Sequence, residues 1–250
     1  MTATEGMSFL GHLMELRTRV IRSVLGVLVG FLIAYSFSEE IFWFLMQPLC
    51  ASFRNQECQL ITIGVAEAFF VYFKTAILAG LFLAAPWVFL QAWKFIEPGL
   101  LETEKKLVWP VVFVASALFV GGAAFGYWLV FPFAFDFFLN YAGEGIAPMP
   151  AMQAYFSFSV RLLLAFGILF ELPLVVLSLV YLRILSASQL WSTWRYAIIG
   201  IFALSAVLTP ADPITMLLLG LPLSGLYLAS ILVAQLIERA RKVPSENQSA

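Results

Sequence analysis

The sequence is poor in charge and in the residues that build most catalytic centres. Only 12% of its 250 residues are charged, with 14 Lys and Arg against 15 Asp and Glu, whereas soluble domains carry about 25%. A formal net charge of −1 leaves no basic surplus for phosphates, so no nucleic-acid partner is expected. One histidine and two cysteines are too few for an ordinary transition-metal site. No metal or other cofactor is therefore expected.

The motifs of common hydrolases are also missing. The sequence contains no GxxxxGK[ST] phosphate loop, no HExxH and no GxSxG. The first 20 residues lack a contiguous apolar core, so no cleavable signal peptide is expected. Together these absences argue against an enzyme.

Apolar residues dominate what is present. They make up 62% of the chain, and the mean hydropathy is +0.94. Because a helix needs about 20 apolar residues to cross a bilayer, continuous apolar runs predict membrane spans. We predict an all-α integral membrane protein, a single polytopic domain over residues 1–250. Its six spans lie at 20–37, 68–95, 107–135, 156–182, 196–208 and 214–236.

Basic residues predict how the chain is oriented. Eleven of the 14 lie before the first run, after the second, after the fourth or after the sixth, which places them on one side of the membrane. Since Lys and Arg concentrate in cytoplasmic loops, both termini are predicted to be cytoplasmic. Residues 237–250 then form a polar cytoplasmic tail, and the expected location is a bacterial inner membrane.

Two features of the spans are unusual. The fifth run has 13 residues and reaches about 20 Å as a helix. Proline also interrupts several runs, and each one removes a backbone hydrogen bond and bends its helix. These features predict kinked helices in a curved, concave scaffold. The prolines concerned are Pro86, Pro110, Pro132, Pro173 and Pro222.

Residues 8–22 are predicted to form an amphipathic helix that leads into the first span. Phe9, Leu13, Leu16 and Val20 recur at helical spacing and would leave His12, Glu15, Arg19 and Arg22 on the polar side. Glu15 has two interpretations. It can pair with Arg19 at i,i+4, or it can be a cytoplasmic carboxylate offered to a basic partner.

Glu171 is the other carboxylate that needs explanation. It lies deep in the fourth run, where a charged side chain costs at least ~2.5–3.5 kcal/mol. A structural hydrogen bond, a proton-carrying site and a polar recess are all compatible with it. Cys50 and Cys58 lie in the first predicted extracytoplasmic loop, where a disulfide is permitted but not required.

Several short segments have a distinctive sequence. Residues 12–19 read HLMELRTR and residues 91–100 read QAWKFIEPGL; residues 104–106, 170–173 and 209–212 read EKK, FELP and TPAD. Together these segments resemble the TatC family, the multi-spanning subunit of the twin-arginine protein translocase, and the first is similar to the HLxELRxR opening of that family. The resemblance runs from about Phe9 to Leu236. The chain departs from the family pattern at Ala211 and Met216, where a proline and a glutamine are frequent.

This resemblance implies a function. Family members bind signal peptides that bear paired arginines and, with small single-span partners of the TatA and TatB type, export folded proteins using the proton-motive force. By matching position, Glu15 and Glu104 would receive the arginines, and Arg17 and Phe95 would help to shape the site. Guanidinium groups pair bidentately with carboxylates, which supports these roles.

The resemblance also assigns structural positions. Glu171 would supply an intramembrane polar site, with Pro173 beside it. Pro48 would lie in an extracytoplasmic cap and Asp212 in the last extracytoplasmic turn. Self-association and docking of the partner subunits on the fifth and sixth spans are expected. The competing hypothesis is a proton-coupled small-solute transporter centred on Glu171.

Overall fold

The computed structural model describes residues 9–53, 58–97, 108–141, 149–182, 184–209 and 213–246. These ranges are helical apart from short connections and an isolated β-bridge between Ile61 and Ala151. In chain order the helices are α1 Phe9–Tyr35, α2 Ser38–Ala51, α3 Glu67–Ile96, α4 Val108–Phe125, α5 Phe131–Tyr141, α6 Met152–Leu169, α7 Leu172–Tyr181, α8 Ala187–Ser192, α9 Trp194–Leu208 and α10 Pro213–Glu246; a π-helical turn, Gly126–Val130, joins α4 to α5.

Five helical segments are long and apolar enough to cross a membrane. They are Leu10–Tyr35, Glu67–Ile96, Val108–Tyr141, Met152–Tyr181 and Pro213–Arg239. The shorter apolar helix α9 has 15 residues and coincides with the predicted fifth span. The predicted all-helical membrane fold is confirmed for the described residues. Six crossings, cytoplasmic termini and a curved scaffold stay predictions.

Several predicted boundaries differ from the observed ones. The helix predicted over residues 8–22 is observed from Phe9 as the first part of α1, which continues without interruption to Tyr35. The third span extends to Tyr141, and the fourth is interrupted between Leu169 and Leu172. Helix α10 continues to Glu246, through most of the segment predicted as a polar tail. Helices α2 and α8 were not predicted.

Proline does not interrupt every helix in which it lies. Helix α3 runs through Pro86, and α10 runs through Pro222. By contrast, Pro132 is the second residue of α5, which follows the π-helical turn, and Pro173 lies in the first turn of α7, where no N–H is needed. Proline position relative to a helix start therefore decides its local effect.

The contacts group the chain into two compact units. The first comprises Met1–Phe44 and Gly64–Ala117, and the second comprises Leu45–Ile63 and Leu118–Ala250. The prediction of a single polytopic domain over residues 1–250 stays a prediction.

The first unit is organised by the packing of α1 on α3. A Cβ on Gly30 would lie 2.5 Å from the carbonyl oxygen of Gly80, and one on Gly80 would lie 2.8 Å from the Cα of Phe31. The two backbones are therefore in direct contact. Small residues permit such close approach between membrane helices, where lipid provides no hydrophobic force to hold them together.

The second unit has an aromatic core around α6. Phe166 is fully buried, and it packs against Phe125 and Phe170 with ring centroids 5.6 and 6.2 Å apart. Nearby, the phenolic O–H of Tyr155 donates to the backbone carbonyl of Leu45 and so ties α6 to α2. A carboxylate oxygen of Glu238 on α10 accepts the backbone N–H of Ala187 at 2.8 Å and holds the start of α8.

The two cysteines form a disulfide, which decides the alternative left open by the sequence. Cys50 lies near the end of α2, and the Cα atoms of Cys50 and Cys58 are 5.2 Å apart. Three residues after Cys58, the backbone of Ile61 pairs with the start of α6: the N–H of Met152 donates to the Ile61 carbonyl at 2.9 Å. The disulfide therefore links α2 to the segment that pairs with α6.

We expect the Cys50→Ser/Cys58→Ser double variant to lose about 2 kcal/mol of stability, because the short loop closed by the disulfide no longer restricts the unfolded chain. Thermal unfolding in detergent measures this loss. Dithiothreitol should destabilise the original chain by the same amount and leave the double variant unchanged. An original chain whose unfolding is insensitive to reductant would contradict the prediction.

Candidate functional site

The N-terminal end of α1 lies against the C-terminal end of α3, because these helices run antiparallel. Phe31 and Phe73 have ring centroids 5.1 Å apart, and the indole N–H of Trp87 donates to the Arg22 carbonyl at 2.9 Å. Contacts thus pair lower residue numbers on α1 with higher numbers on α3. This register brings residues 12–19 of α1 beside residues 91–95 of α3.

A polar cluster lies at this end of the helix pair. Nη2 of Arg19 donates to Oε1 of Glu15 at 3.1 Å, and Nη1 of Arg19 donates to Oε1 of Gln91 at 3.4 Å. The side chains of Arg19 and Glu15 are 20% and 19% exposed, whereas Gln91 is 2% exposed. Nε of Arg19 is buried and has no hydrogen-bond partner among the described residues.

An aromatic pair adjoins the carboxylate. The rings of His12 and Phe95 are stacked with centroids 4.4 Å apart. His12 precedes Glu15 by three residues, which places the two on the same helix face about one turn apart. Phe95 therefore lies at the same end of the α1–α3 pair as Glu15.

The remaining predicted site residues are not brought to this cluster by the described structure. Arg17 is exposed, and its position two residues after Glu15 places it nearly opposite Glu15 on the helix. Glu104 and Asp212 lie outside the described residues. Pro48 is buried inside α2, where its carbonyl accepts the hydroxyl of Ser52 at 3.1 Å.

The structure packs the polar side of the amphipathic segment against α3, which the sequence left undecided. Leu13, Leu16 and Val20 are exposed, whereas Glu15 and Arg19 lie on the face packed against α3. The physical reason is that apolar side chains on a membrane helix can face lipid without cost. The contact with a neighbouring helix is therefore formed by small and polar residues. The alternative of an i,i+4 pair between Glu15 and Arg19 is confirmed as a contact.

Glu171 lies at the interruption of the fourth span. Residues 170–171 form a turn between α6 and α7, and Glu171 directly precedes α7. Its carboxyl group contacts the backbone amide of Phe119 on α4. Oε1 of Glu171 is buried and has no hydrogen-bond partner within the described ranges. A carboxyl with a spare acceptor inside a span can accept a proton or bind a polar group.

Chemically, the α1–α3 cluster can bind a guanidinium. A carboxylate that is partly screened from water forms charge-assisted hydrogen bonds with arginine, and a stacked aromatic pair beside it offers a flat surface. In the part of the chain that the structure describes, no group of three or more His, Cys, Asp or Glu side chains is placed to hold a metal.

Sequence reasoning missed the contact between Gln91 and Arg19. A lone amide among the apolar residues of the second span could have indicated it, because a buried polar group requires a hydrogen-bond partner. Sequence reasoning also missed the GxxxG spacing of Gly26 and Gly30, which is typical of close helix pairs in membranes.

The fold and the cluster define a class of protein: a multi-pass helical membrane protein with a carboxylate site at the end of a helix pair. A protein-family model described as Sec-independent protein translocase protein (TatC) matches residues 11–222. The TatC protein of Desulforapulum autotrophicum is 40% identical over 242 residues, covering 97% of this chain and 88% of that protein. The TatC protein of Magnetococcus marinus is 41% identical over 230 residues, covering 92% of this chain and 84% of that protein.

A solved structure agrees with these relatives. The chain is similar to the crystal structure of a twin-arginine translocase receptor, TatC, with a TM-score of 0.80 and 35% sequence identity, covering 90% of this chain and 98% of that one. The chain belongs to the TatC family of Sec-independent protein translocases. It is therefore a translocase component and not an enzyme, as predicted, and the family decides against the solute-transporter hypothesis.

Proposed function

We propose that this chain is the receptor and scaffold subunit of a twin-arginine translocase, and that the Glu15 carboxylate binds an arginine of the signal peptide. The single observation that carries the proposal is the Glu15–Arg19 contact of 3.1 Å, because it demonstrates a carboxylate placed to accept a guanidinium. The stacked His12 and Phe95 rings beside it would support the apolar part of the bound peptide.

Glu104 is proposed to receive the second arginine of the signal. It follows Glu97, the last described residue of its stretch, by seven positions, and α3 ends beside the part of α1 that carries Glu15. Arg17 is exposed on the other side of α1, which suits contact with the rest of the peptide or with lipid phosphate. Two carboxylates for two guanidinium groups would balance the charge.

The wider assignment follows from the same role. We infer a bacterial inner-membrane location with cytoplasmic termini, six spans, self-association, and small single-span partners of the TatA and TatB type. Export of folded proteins would be driven by the proton-motive force. The relative named a twin-arginine translocase receptor supports this assignment, as do the exposed apolar residues Tyr196, Ile199 and Val207 along the short helix α9, which could contact a partner helix.

We expect Glu15→Gln and Glu104→Gln each to weaken binding of a synthetic twin-arginine signal peptide by tenfold or more, because each removes one charge-assisted pair. Fluorescence anisotropy of the labelled peptide with the full-length chain in detergent measures the affinity. Glu40→Gln is the matched control, since Glu40 is an exposed carboxylate in the first turn of α2, far along the chain from the cluster.

The control variant should bind as the original chain does, and all three variants should unfold at the same temperature. If the peptide binds equally well to the Glu15 and Glu104 variants, the chain does not recognise signals through these carboxylates and the proposal fails.

A further inference from the structure

The carboxylate proposed to bind the signal already holds an internal guanidinium. Arg19 occupies Oε1 of Glu15 at 3.1 Å. A signal arginine that pairs with both oxygens of Glu15 therefore shares Oε1 with Arg19 and meets the positive charge of Arg19 at close range. Release of the Arg19 contact would remove this repulsion.

Arg19 has a second acceptor within reach. Its Nη1 lies 3.4 Å from Oε1 of Gln91, a long hydrogen bond, while Nη2 is held by Glu15. Gln91 is 2% exposed within α3 and therefore cannot move far, whereas Arg19 is 20% exposed. A small rotation of the guanidinium toward Gln91 would shorten this bond and free Glu15.

We propose that Arg19 is an internal competitor of the signal: it occupies Glu15 in the absence of signal, exchanges with the incoming arginine, and moves onto Gln91. This inference rests on the proposed function, since it assumes that Glu15 binds the signal. Its new content is that recognition is a competition between two guanidinium groups for one carboxylate.

Such a competition lowers the affinity of every ligand that must displace Arg19 by the same factor, because that factor is the fraction of molecules in which Glu15 is free. The preference for arginine over lysine then comes from Glu15 itself. An arginine engages both carboxylate oxygens with a planar fork, whereas a lysine ammonium is a compact and strongly hydrated charge that fits this geometry less well. Removing Arg19 should therefore strengthen the binding of an arginine signal and of a lysine signal equally.

The decisive variant is Arg19→Gln in the full-length chain in detergent. We expect it to bind a labelled Arg-Arg signal peptide about fivefold more tightly, and a matched Lys-Lys peptide more tightly by the same factor, so that discrimination between the two is unchanged. Arg22→Gln is the control, because it removes the same charge from an exposed position three residues further along α1. The control should keep both the affinities and the discrimination of the original chain.

A second variant tests the exchange without removing Arg19. Gln91→Glu offers Arg19 a carboxylate in place of the amide, so Arg19 should leave Glu15 more readily and the Arg-Arg peptide should again bind more tightly. If Arg19 instead serves to position Glu15 for the signal, both variants should weaken binding, and the inference is overturned.

The Glu15→Gln/Arg19→Gln double variant separates this inference from the proposed function. When Glu15→Gln weakens binding, adding Arg19→Gln should cause no further change, because the carboxylate for which Arg19 and the signal compete is already gone. If Glu15→Gln binds the peptide weakly and Arg19→Gln binds it as the original chain does, the competition is rejected and the proposed function is retained. A Glu15→Gln variant that binds normally rejects both.

Discussion

Gly80→Ala is expected to destabilise the first unit by about 3 kcal/mol, the upper end of the range for overpacking. The added Cβ would lie 2.8 Å from the Cα of Phe31 and 2.9 Å from the carbonyl carbon of Gly30. These atoms belong to the backbone of α1 and cannot rotate away as a side chain can. The two helices must therefore separate, with loss of contact along the interface that carries Glu15, Arg19 and Gln91.

Thermal unfolding of the purified chain in detergent measures this effect. Gly225→Ala is the matched control, since Gly225 lies in α10 with nothing within 4 Å of its added Cβ. The same glycine-to-alanine change should leave the control as stable as the original chain or slightly more so, because alanine favours helix. Equal unfolding temperatures for the two variants would show that α1 and α3 do not meet at Gly80.

Gly122→Ala should have a similar effect, about 3 kcal/mol, in the second unit. Its Cβ would lie 2.5 Å from the carbonyl oxygen of Phe166 and 2.7 Å from the Cβ of Phe170. Phe166 is fully buried, and Phe170 directly precedes Glu171 at the interruption of the fourth span. The variant should therefore loosen the turn that carries Glu171 as well as lower stability.

The neighbouring residue supplies the control for this second change. A Cβ on Gly121 would meet nothing within 4 Å, so Gly121→Ala should be neutral. Unfolding in detergent gives the stability, and labelling of Glu171 by a carbodiimide gives its accessibility, which should rise in Gly122→Ala alone. Two variants with the same stability and the same labelling would contradict the packing of α4 on α6.

Much of the secondary structure was predictable, because a bilayer demands long apolar helices. The runs at 68–95 and 196–208 correspond closely to α3 and α9. The π-helical turn and the break before Glu171 were not predictable in detail. Prolines signalled disturbance in several spans, yet α3 and α10 continue through theirs, so a proline by itself does not locate an interruption.

The candidate site was only partly predictable. The segment HLMELRTR singled out Glu15, and the i,i+4 spacing indicated its pairing with Arg19. The sequence did not indicate which face of the segment packs, and the structure packs the face that bears Glu15 and Arg19. Gln91 joined the cluster only when α3 was placed beside α1, because 72 residues separate it from Arg19.

Composition, apolar runs and short motifs were sufficient to establish a multi-pass helical membrane protein of the TatC family. They could not determine which helix faces meet. In water the apolar stripe of a helix identifies its buried side, but in lipid apolar residues face outward and the stripe loses that meaning. The meeting of α1 and α3 depends on the close approach of Gly30 and Gly80, and this contact brings Glu15, Arg19 and Gln91 together.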